Sequence, residues 1–317
     1  MAKVLKKVNV AAYKKFSPAT LQLPTGYRPV VTDVSRFKTL LWGREKIGKT
    51  TGGKSFPNAI FAATEPGTLG HEKLTEFNWE NGGITSWEVF LRLVALLENK
   101  GGHTFKTVVI DTIDELYYRC AEYVCKEMKI AYLGETKSGK KDYGKSWQRV
   151  KRALTEAIYR LGNAGIGIVF VSHSKTETIE GADGEEYTKI FPSMASGARD
   201  VVHAICDMLL YVDYMTTKEK KNIRVMITQG TELIWGGCRK GKFPPLIEVI
   251  DEDWYNLITK GFRGEAKPLD VTTLRPYSNT SAQFVQFWRD TVAQTGKEAV
   301  SGNKPVLKKI IKKLDQK

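Results

Sequence analysis

The tightest constraint on this chain is the octet at 43–50, Gly-Arg-Glu-Lys-Ile-Gly-Lys-Thr, preceded by an apolar run at 40–42. The spacing G-x-x-x-x-G-K-T is that of a phosphate-binding P-loop. Gly43 and Gly48 let the backbone bend so that successive N–H groups point inward at an anion. A helix beginning near Lys49 adds its positive N-terminal end. The pattern assigns a nucleotide cradle to Gly43, Arg44, Glu45, Lys46, Ile47, Gly48, Lys49, Thr50 and Thr51. Lys49 is expected to reach the β- and γ-phosphates of ATP, and the Thr50 hydroxyl to ligate Mg²⁺.

Such a loop needs a strand before it and a helix after it. Residues 39–42 supply the strand. The helix must be short, because Gly52, Gly53 and Pro57 disfavour its continuation. A second strand is expected at 58–63, then a helix at 86–100 capped by Ser86 with Trp87, Phe90, Leu91, Val94 and Leu97 inward. A β-branched strand at 107–110 ends in Asp111, and a helix runs on to about 133. A polar loop, 134–144, precedes an amphipathic helix at 145–161 whose apolar face includes Trp147, Val150, Leu154, Ile158 and Leu161. A buried strand at 165–171 leads to Ser172-His173-Ser174. Alternation over 176–190 suggests a hairpin, 196–204 a helix and 208–212 a strand. A second hairpin is expected over 223–235, turning at Gln229-Gly230. Residues 281–294 read as a helix with Phe284, Phe287, Trp288 and Val292 inward. Strands alternating with helices imply an α/β fold with a mainly parallel central sheet flanked by helices, plus C-terminal β-hairpins. The domain reading is a basic arm at 1–35, a nucleotide-binding core at 36–260 and a basic C-terminal extension at 261–317.

In a parallel sheet, ligands bind beyond the carboxyl ends of the strands. The P-loop, Glu65, Asp111 and His173 each follow such an end. Asp111 suits a metal-facing carboxylate at a strand tip, and the same residue can cap the next helix. Glu65 is placed to orient or deprotonate the water that attacks the γ-phosphate. Asp114 and Glu115 are rival bases, although acids are favoured in a first helical turn in any case. His173 is placed to hydrogen-bond the γ-phosphate. The catalytic set read from the sequence is therefore Lys49, Glu65 and His173, with Thr50 and Asp111 on the metal.

The net charge of +14 is unevenly distributed. Residues 1–50 carry 11 Lys/Arg against 2 Asp/Glu, residues 260–317 carry 12 against 5, and residues 51–259 carry 26 against 28. Basic ends on a near-neutral body suit a polyanion such as nucleic acid. The segment 137–149 adds Lys137, Lys140, Lys141, Lys145 and Arg149 beside Tyr143, a mixture of cations and ring suited to single strands. Trp147 is read as core and Tyr143 as the stacking residue. No apolar run is long enough to span a bilayer, and no leader is visible in the first residues. Four cysteines without a C-x-x-C pair and four scattered histidines argue against structural zinc and for reduced thiols, so a cytoplasmic location is expected.

The order of P-loop, short helix, PNAIFAATEPG, VVIDTIDEL, IVFVSHSK and hairpins resembles a minimal RecA-like P-loop ATPase core over about 36–243. It resembles in particular the small phage-encoded RecA-core proteins, some of which anneal single strands. The resemblance implies Glu65 as catalytic base and His173 as γ-phosphate sensor, in a position that usually holds glutamine. It places DNA-binding loops at about 134–146 and 176–193, although the second carries Glu177, Glu180, Asp183, Glu185 and Glu186, whose charges repel phosphate. It further implies a homo-oligomer, ring or filament, with ATP between subunits. Arg239, Lys240 and Lys242 are then candidates to complete a neighbour's site, and Phe16 stands in an F-x-x-A pattern like that of recombinase polymerisation motifs. The expected function is slow ATP hydrolysis coupled to single-stranded DNA annealing or strand pairing in the host cytoplasm. The alternatives are a helicase-like motor or replisome loader, and an ATP-gated scaffold for a single-strand-binding protein.

Overall fold

The computed structural model describes residues 26–27, 30–180, 184–276, 285–287 and 289–290. The chain divides into two compact units, Met1–Thr32 and Asp33–Lys317. In the first, only residues 26–27 and 30–32 are described. Phe16 and the C-terminal tail lie outside the described residues.

The second unit is built on a sheet whose first strands are β1 (Lys38–Gly43), β2 (Ala59–Ala63), β3 (Thr107–Asp111) and β4 (Gly167–Glu180). These are joined by β5 (Glu186–Pro192), β6 (Met208–Thr217), β7 (Asn222–Ile227), β8 (Gly237–Cys238), β9 (Leu246–Glu248) and β10 (Leu274–Pro276). The main strand order is β2-β3-β4-β1-β6-β7-β9. The first five of these run parallel, and β7 and β9 add antiparallel edges. The helices are α1 (Lys49–Lys54), α2 (Trp87–Glu98), α3 (Ile113–Met128), α4 (Lys145–Asn163), α5 (Ser196–Ile205) and α6 (Trp254–Arg263). This is the α/β P-loop NTPase-like arrangement, a largely parallel sheet flanked by helices.

The near-continuous apolar strands follow from being covered on both faces. Leu40, Trp42, Val108, Ile110, Ile168 and Phe170 face a core closed by α2, α3 and α4. Leu41, Phe61, Val109, Val169, Val171 and Leu210 face the other core, closed by Trp254 and Ile258 of α6. Ser86 caps α2 by accepting from the Val89 amide, as its sequence suggests.

Three sequence expectations are corrected. First, the second hairpin is β6–β7, turning over 218–221. Gln229 does not turn it, because the Gln229 amide instead donates to the Phe243 carbonyl and Thr228 pairs with the Pro245 backbone. Second, Trp147 is not core but 48% exposed. It lies next to buried Ser146, whose hydroxyl accepts from the Gly134 amide, so a polar contact takes the inward place at the start of the helix. Third, Val285 is buried while Phe287 is 47% exposed, two helical steps or about 200° apart. The other inward residues proposed for that helix, Phe284, Trp288 and Val292, lie outside the described residues.

Two features of the fold are not legible as separate motifs. β4 runs unbroken through His173 and pairs with β5 as a two-stranded arm, with Glu177 opposite Lys189 and Glu180 opposite Glu186. In addition, α6 packs under the P-loop helix. Asp253 caps it by accepting from the Asn256 amide. Its Trp254 ring lies so close to Gly52 that a Cβ there would overlap it. The glycine pair in α1 is thus a close-packing requirement. Gly52→Ala is expected to destabilise the fold by about 1–3 kcal/mol through overpacking, measured by urea denaturation. Trp254→Leu should relieve part of that loss in the double variant. Native stability in Gly52→Ala would mean that α6 does not press on α1.

Candidate nucleotide site

Strand register brings the site together. Ala63, Asp111 and Val171 stand side by side across β2, β3 and β4. Two residues further on, His173 stands beside Gly43, and Gly43 beside Val212. Glu65 leaves β2 at that same level. The polar residues therefore share one edge because the apolar strands beneath them end together.

The P-loop bends through Lys46 at φ 56° and Gly48 at φ 98°, a left-handed backbone that glycine adopts without cost. Gly48 is the residue before α1, so the amides of the first helical turn open toward the loop. The Lys49 ammonium lies inside this turn. It donates to the Gly43 carbonyl at 3.1 Å and the Arg44 carbonyl at 2.6 Å, and stands 3.4 Å from His173 Nδ1. Burial pushes its pKa down to about 8, against the pull of Asp111, Asp114, Glu45 and Glu65. A desolvated cation, held in reserve on two backbone carbonyls beside the amides of the first helical turn, fits an incoming polyphosphate.

Thr50 donates to Asp111 Oδ2 at 2.7 Å. Burial raises the Asp111 pKa despite that bond and the nearby Lys49. Among the described residues no cluster of three or more acids, histidines or cysteines forms a protein cage for a metal. A hydroxyl and a carboxylate side by side beneath the phosphate cradle nevertheless fit Mg²⁺, which completes its shell with phosphates and water. Thr50 and Asp111 are the residues that would hold it.

The three candidate bases are sorted by their partners. Glu65 is exposed; its Oε1 accepts from the Thr112 hydroxyl at 2.7 Å and its Oε2 lies 4.0 Å from His173 Nε2. It opens on a cleft of about 660 Å³ lined also by Pro66, Leu69, His71, Trp79 and Arg119. Asp114 is held by the Ser193 hydroxyl, and burial raises its pKa. Glu115 pairs with Arg119 one helical turn along α3, at 2.9 Å. Thr112, the α3 cap, thus serves both Glu65 and the Glu115 amide.

Two further contacts set the loop from outside. Asp213, fully buried midway along β6 and one residue beyond the position beside Gly43, pairs with Arg44 at 3.2 Å and accepts from Tyr211. Its signal is present in the sequence, since Asp213 directly follows the apolar run 208–212. Arg224 on β7 donates to the Ile47 carbonyl at 3.1 Å and lies over the Trp254 ring. Nothing near Arg224 in sequence announces this.

The other predicted residues lie elsewhere. Lys137, Lys140, Lys141, Tyr143, Lys145 and Arg149 are exposed around the α3–α4 loop, Tyr143 by 90%. Arg149 pairs with Glu127 at 3.3 Å. The loop is held by Asp142, which accepts from the Gly144 and Ser146 amides. Arg239 donates to the Ala204 carbonyl, while Lys240 and Lys242 are exposed. No helix among the described residues is long and apolar enough to cross a membrane.

No curated protein matches this sequence. Among solved structures, a KaiC-like protein from the hyperthermophilic archaeon Pyrococcus horikoshii OT3 is similar over 69% of this chain and 88% of that one. The identity is 13% and the TM-score 0.37. A family model described as an AAA domain matches residues 35–239, a stretch that holds the P-loop, Glu65, Asp111 and His173 and covers well over half of the chain. The chain therefore belongs to the AAA domain family, and with it to the ATP-binding, ATPase-type P-loop proteins.

Proposed function

We propose that the protein is a RecA-like, Mg²⁺-dependent ATPase that binds single-stranded DNA and promotes annealing or strand pairing in phage-type recombination, as a homo-oligomer. The observation that carries the ATPase part is the meeting of Lys49, the Thr50–Asp111 pair, Glu65 and His173 at one sheet edge. In this reading the P-loop amides and Lys49 hold the phosphates. Glu65 accepts the proton of the attacking water, with Thr112 fixing its orientation. His173, between Lys49 and Glu65, contacts the terminal phosphate. Thr50 and Asp111 would hold Mg²⁺, which when bound would supply neutralisation of the phosphate charge.

The DNA part rests on the α3–α4 loop, where exposed lysines flank an exposed tyrosine on a backbone fixed by Asp142. Cations there neutralise phosphates and the ring stacks on bases. Arg239, Lys240 and Lys242 are the residues offered to a neighbouring subunit. The test is anisotropy of a labelled single strand with and without ATP and Mg²⁺, over a salt series. Replacing Lys137, Lys140 and Lys141 by Ala should flatten the salt slope by roughly two, at about 0.7 per phosphate contact. Tyr143→Ala should weaken binding by about 1–3 kcal/mol with little change of slope. A folded triple variant with native affinity and slope would remove the loop from the DNA site. Directional unwinding by the native chain would favour a motor instead.

A further inference from the structure

The starting ends of the parallel strands meet as closely as their carboxyl ends. β3, β4 and β1 are neighbours in the strand order and begin at Thr107, Gly167 and Lys38. The three segments that lead into them, 33–36, 100–106 and 164–166, wall a pocket of about 340 Å³. The five steps along β3 from Lys106 to Asp111 span about 16 Å, which separates this pocket from the nucleotide site.

Charge in the pocket is one-sided. Arg36, Lys100 and Lys106 line it and are exposed, and none of them has a carboxylate within ion-pair distance among the described residues. The Lys100 ammonium reaches the 164–166 wall, where it stands 3.9 Å from the place a Cβ would take on Gly165. The one acid in the lining is Asp33, and the chain itself uses it. Its Oδ1 accepts from the Ser35 amide at 3.0 Å and from the Ser35 hydroxyl at 2.6 Å, capping the short turn Val34–Arg36. His103 adds a polar group without a partner. Its Nε2 stands 3.0 Å from the Leu97 carbonyl, which can only accept, so Nε2 carries the proton and donates. Nδ1 is then an acceptor, and it is buried with no donor among the described residues. Leaving such a nitrogen unpaired is costly.

We propose that this pocket binds inorganic phosphate, with Arg36, Lys100 and Lys106 on its anionic oxygens and a small turn of the His103 ring bringing Nδ1 to its hydroxyl. The inference uses none of the residues of the ATPase or DNA readings and stands apart from both. Three cations against one capped carboxylate call for an anion, and a pocket closed by three short segments suits a compact one. The imidazole selects among compact anions. At neutral pH inorganic phosphate carries an O–H as well as anionic oxygens, whereas sulfate and carboxylates carry no proton to donate.

The test is equilibrium dialysis of the full chain against radiolabelled phosphate, read beside the imidazole C2–H signals in proton NMR. His103→Gln identifies the His103 signal. That signal is expected to move with phosphate along the dialysis curve, while those of His71 and His203 stay. Lys100→Ala/Lys106→Ala should weaken this binding by roughly tenfold or more, since each lost bond is charge-assisted. Both side chains are exposed, and an unchanged melting temperature without phosphate checks the fold; Arg36→Gln provides the same comparison from another wall. Lys49→Ala, which disables the P-loop, should keep the His103 response. Loss of all phosphate binding in Lys49→Ala, with native binding in the double lysine variant, would confine phosphate to the P-loop and overturn the second site. A His103 signal that stays fixed at saturating phosphate would overturn it as well. Sulfate binding as tightly as phosphate would overturn the choice of ion. Tighter binding of a nucleoside monophosphate would overturn the free ion in favour of a phosphate ester, and displacement by an oligothymidylate would overturn it in favour of a strand.

Discussion

Glu65→Gln is expected to bind ATP as the native protein does and to hydrolyse it about 10²–10⁴-fold more slowly, the usual contribution of a positioned general base. The substitution keeps the shape of the side chain and its hydrogen bond from Thr112, so little else should change. The assignment is decided by comparing the three acids near the strand tips. Asp114 is half-buried and occupied by the Ser193 hydroxyl, which donates to its Oδ1, while desolvation holds its carboxyl above the ordinary range. Glu115 is turned along α3 toward Arg119. Only Glu65 combines exposure to the cleft with closeness to His173. Single-turnover hydrolysis by Glu65→Gln, Asp114→Asn and Glu115→Gln, with nucleotide affinity measured separately, distinguishes them. Native turnover in Glu65→Gln, with loss in either of the others, would transfer the role.

The second large effect is at Lys49. Lys49→Ala should lose about 2–5 kcal/mol of ATP affinity, the range for removing one partner of a desolvated charge pair. The same side chain is unfavourable to folding. With its pKa pushed down to about 8 from 10.5, the charged form is disfavoured in the folded protein. Below pH 8 both folded and unfolded chains hold the proton, so the full penalty, about 3 kcal/mol, is present. As pH rises from about 8 to 10.5 the folded chain releases the proton first, and this contribution to stability improves. Lys49→Met is therefore expected to be as stable as the native chain or more so at pH 7. The bonds to the Gly43 and Arg44 carbonyls, which it gives up, offset part of the gain. Phosphates require the charged form, so ATP affinity should fall about tenfold per pH unit above 8. Lys49→Arg should flatten that fall. A native affinity that is level from pH 7 to 9.5 would mean that Lys49 is not desolvated in the free protein. Lys49→Ala binding ATP normally would displace the site altogether.

Much of this site is legible in the order of the amino acids because its parts are local. The P-loop is eight consecutive residues, and Asp111, Glu65 and His173 each end an apolar run whose length fixes where the strand stops. Bringing them together needs only the assumption that the strands are parallel and in step. The features that are not legible depend on contacts between distant segments. The Gly52-Gly53 pair is visible as a helix weakener, but the reason lies in distant residues: Trp254, about two hundred positions further on, presses on Gly52, and Val109 of β3 presses on Gly53. Arg224 approaches the Ile47 carbonyl from a strand that contributes nothing to the motif. Trp147 fits the helical period of its apolar neighbours, yet the Ser146 hydroxyl and the returning loop take the inward position. α6 has its cap, Asp253, and its terminating glycine, Gly264, but buries only Trp254, Ile258 and Gly261, too few residues to produce a clear period. The β4–β5 arm is visible as alternation. Its continuity with the core strand is hidden by the change from two covered faces to two open ones at Ser172–Ser174.

That continuity has a mechanical meaning. A paired ribbon that leaves the sheet without a joint behaves as a beam clamped at its root. The seven steps from His173 to Glu180 reach about 23 Å at strand rise, so a 10° tilt at the root carries the tip about 4 Å. The clamp has two jaws: the Ser193 amide on the His173 carbonyl, and the Ser193 hydroxyl on Asp114. A load on the distant acidic tip therefore arrives as torque on one imidazole and one buried carboxyl, both within the shell that surrounds Lys49.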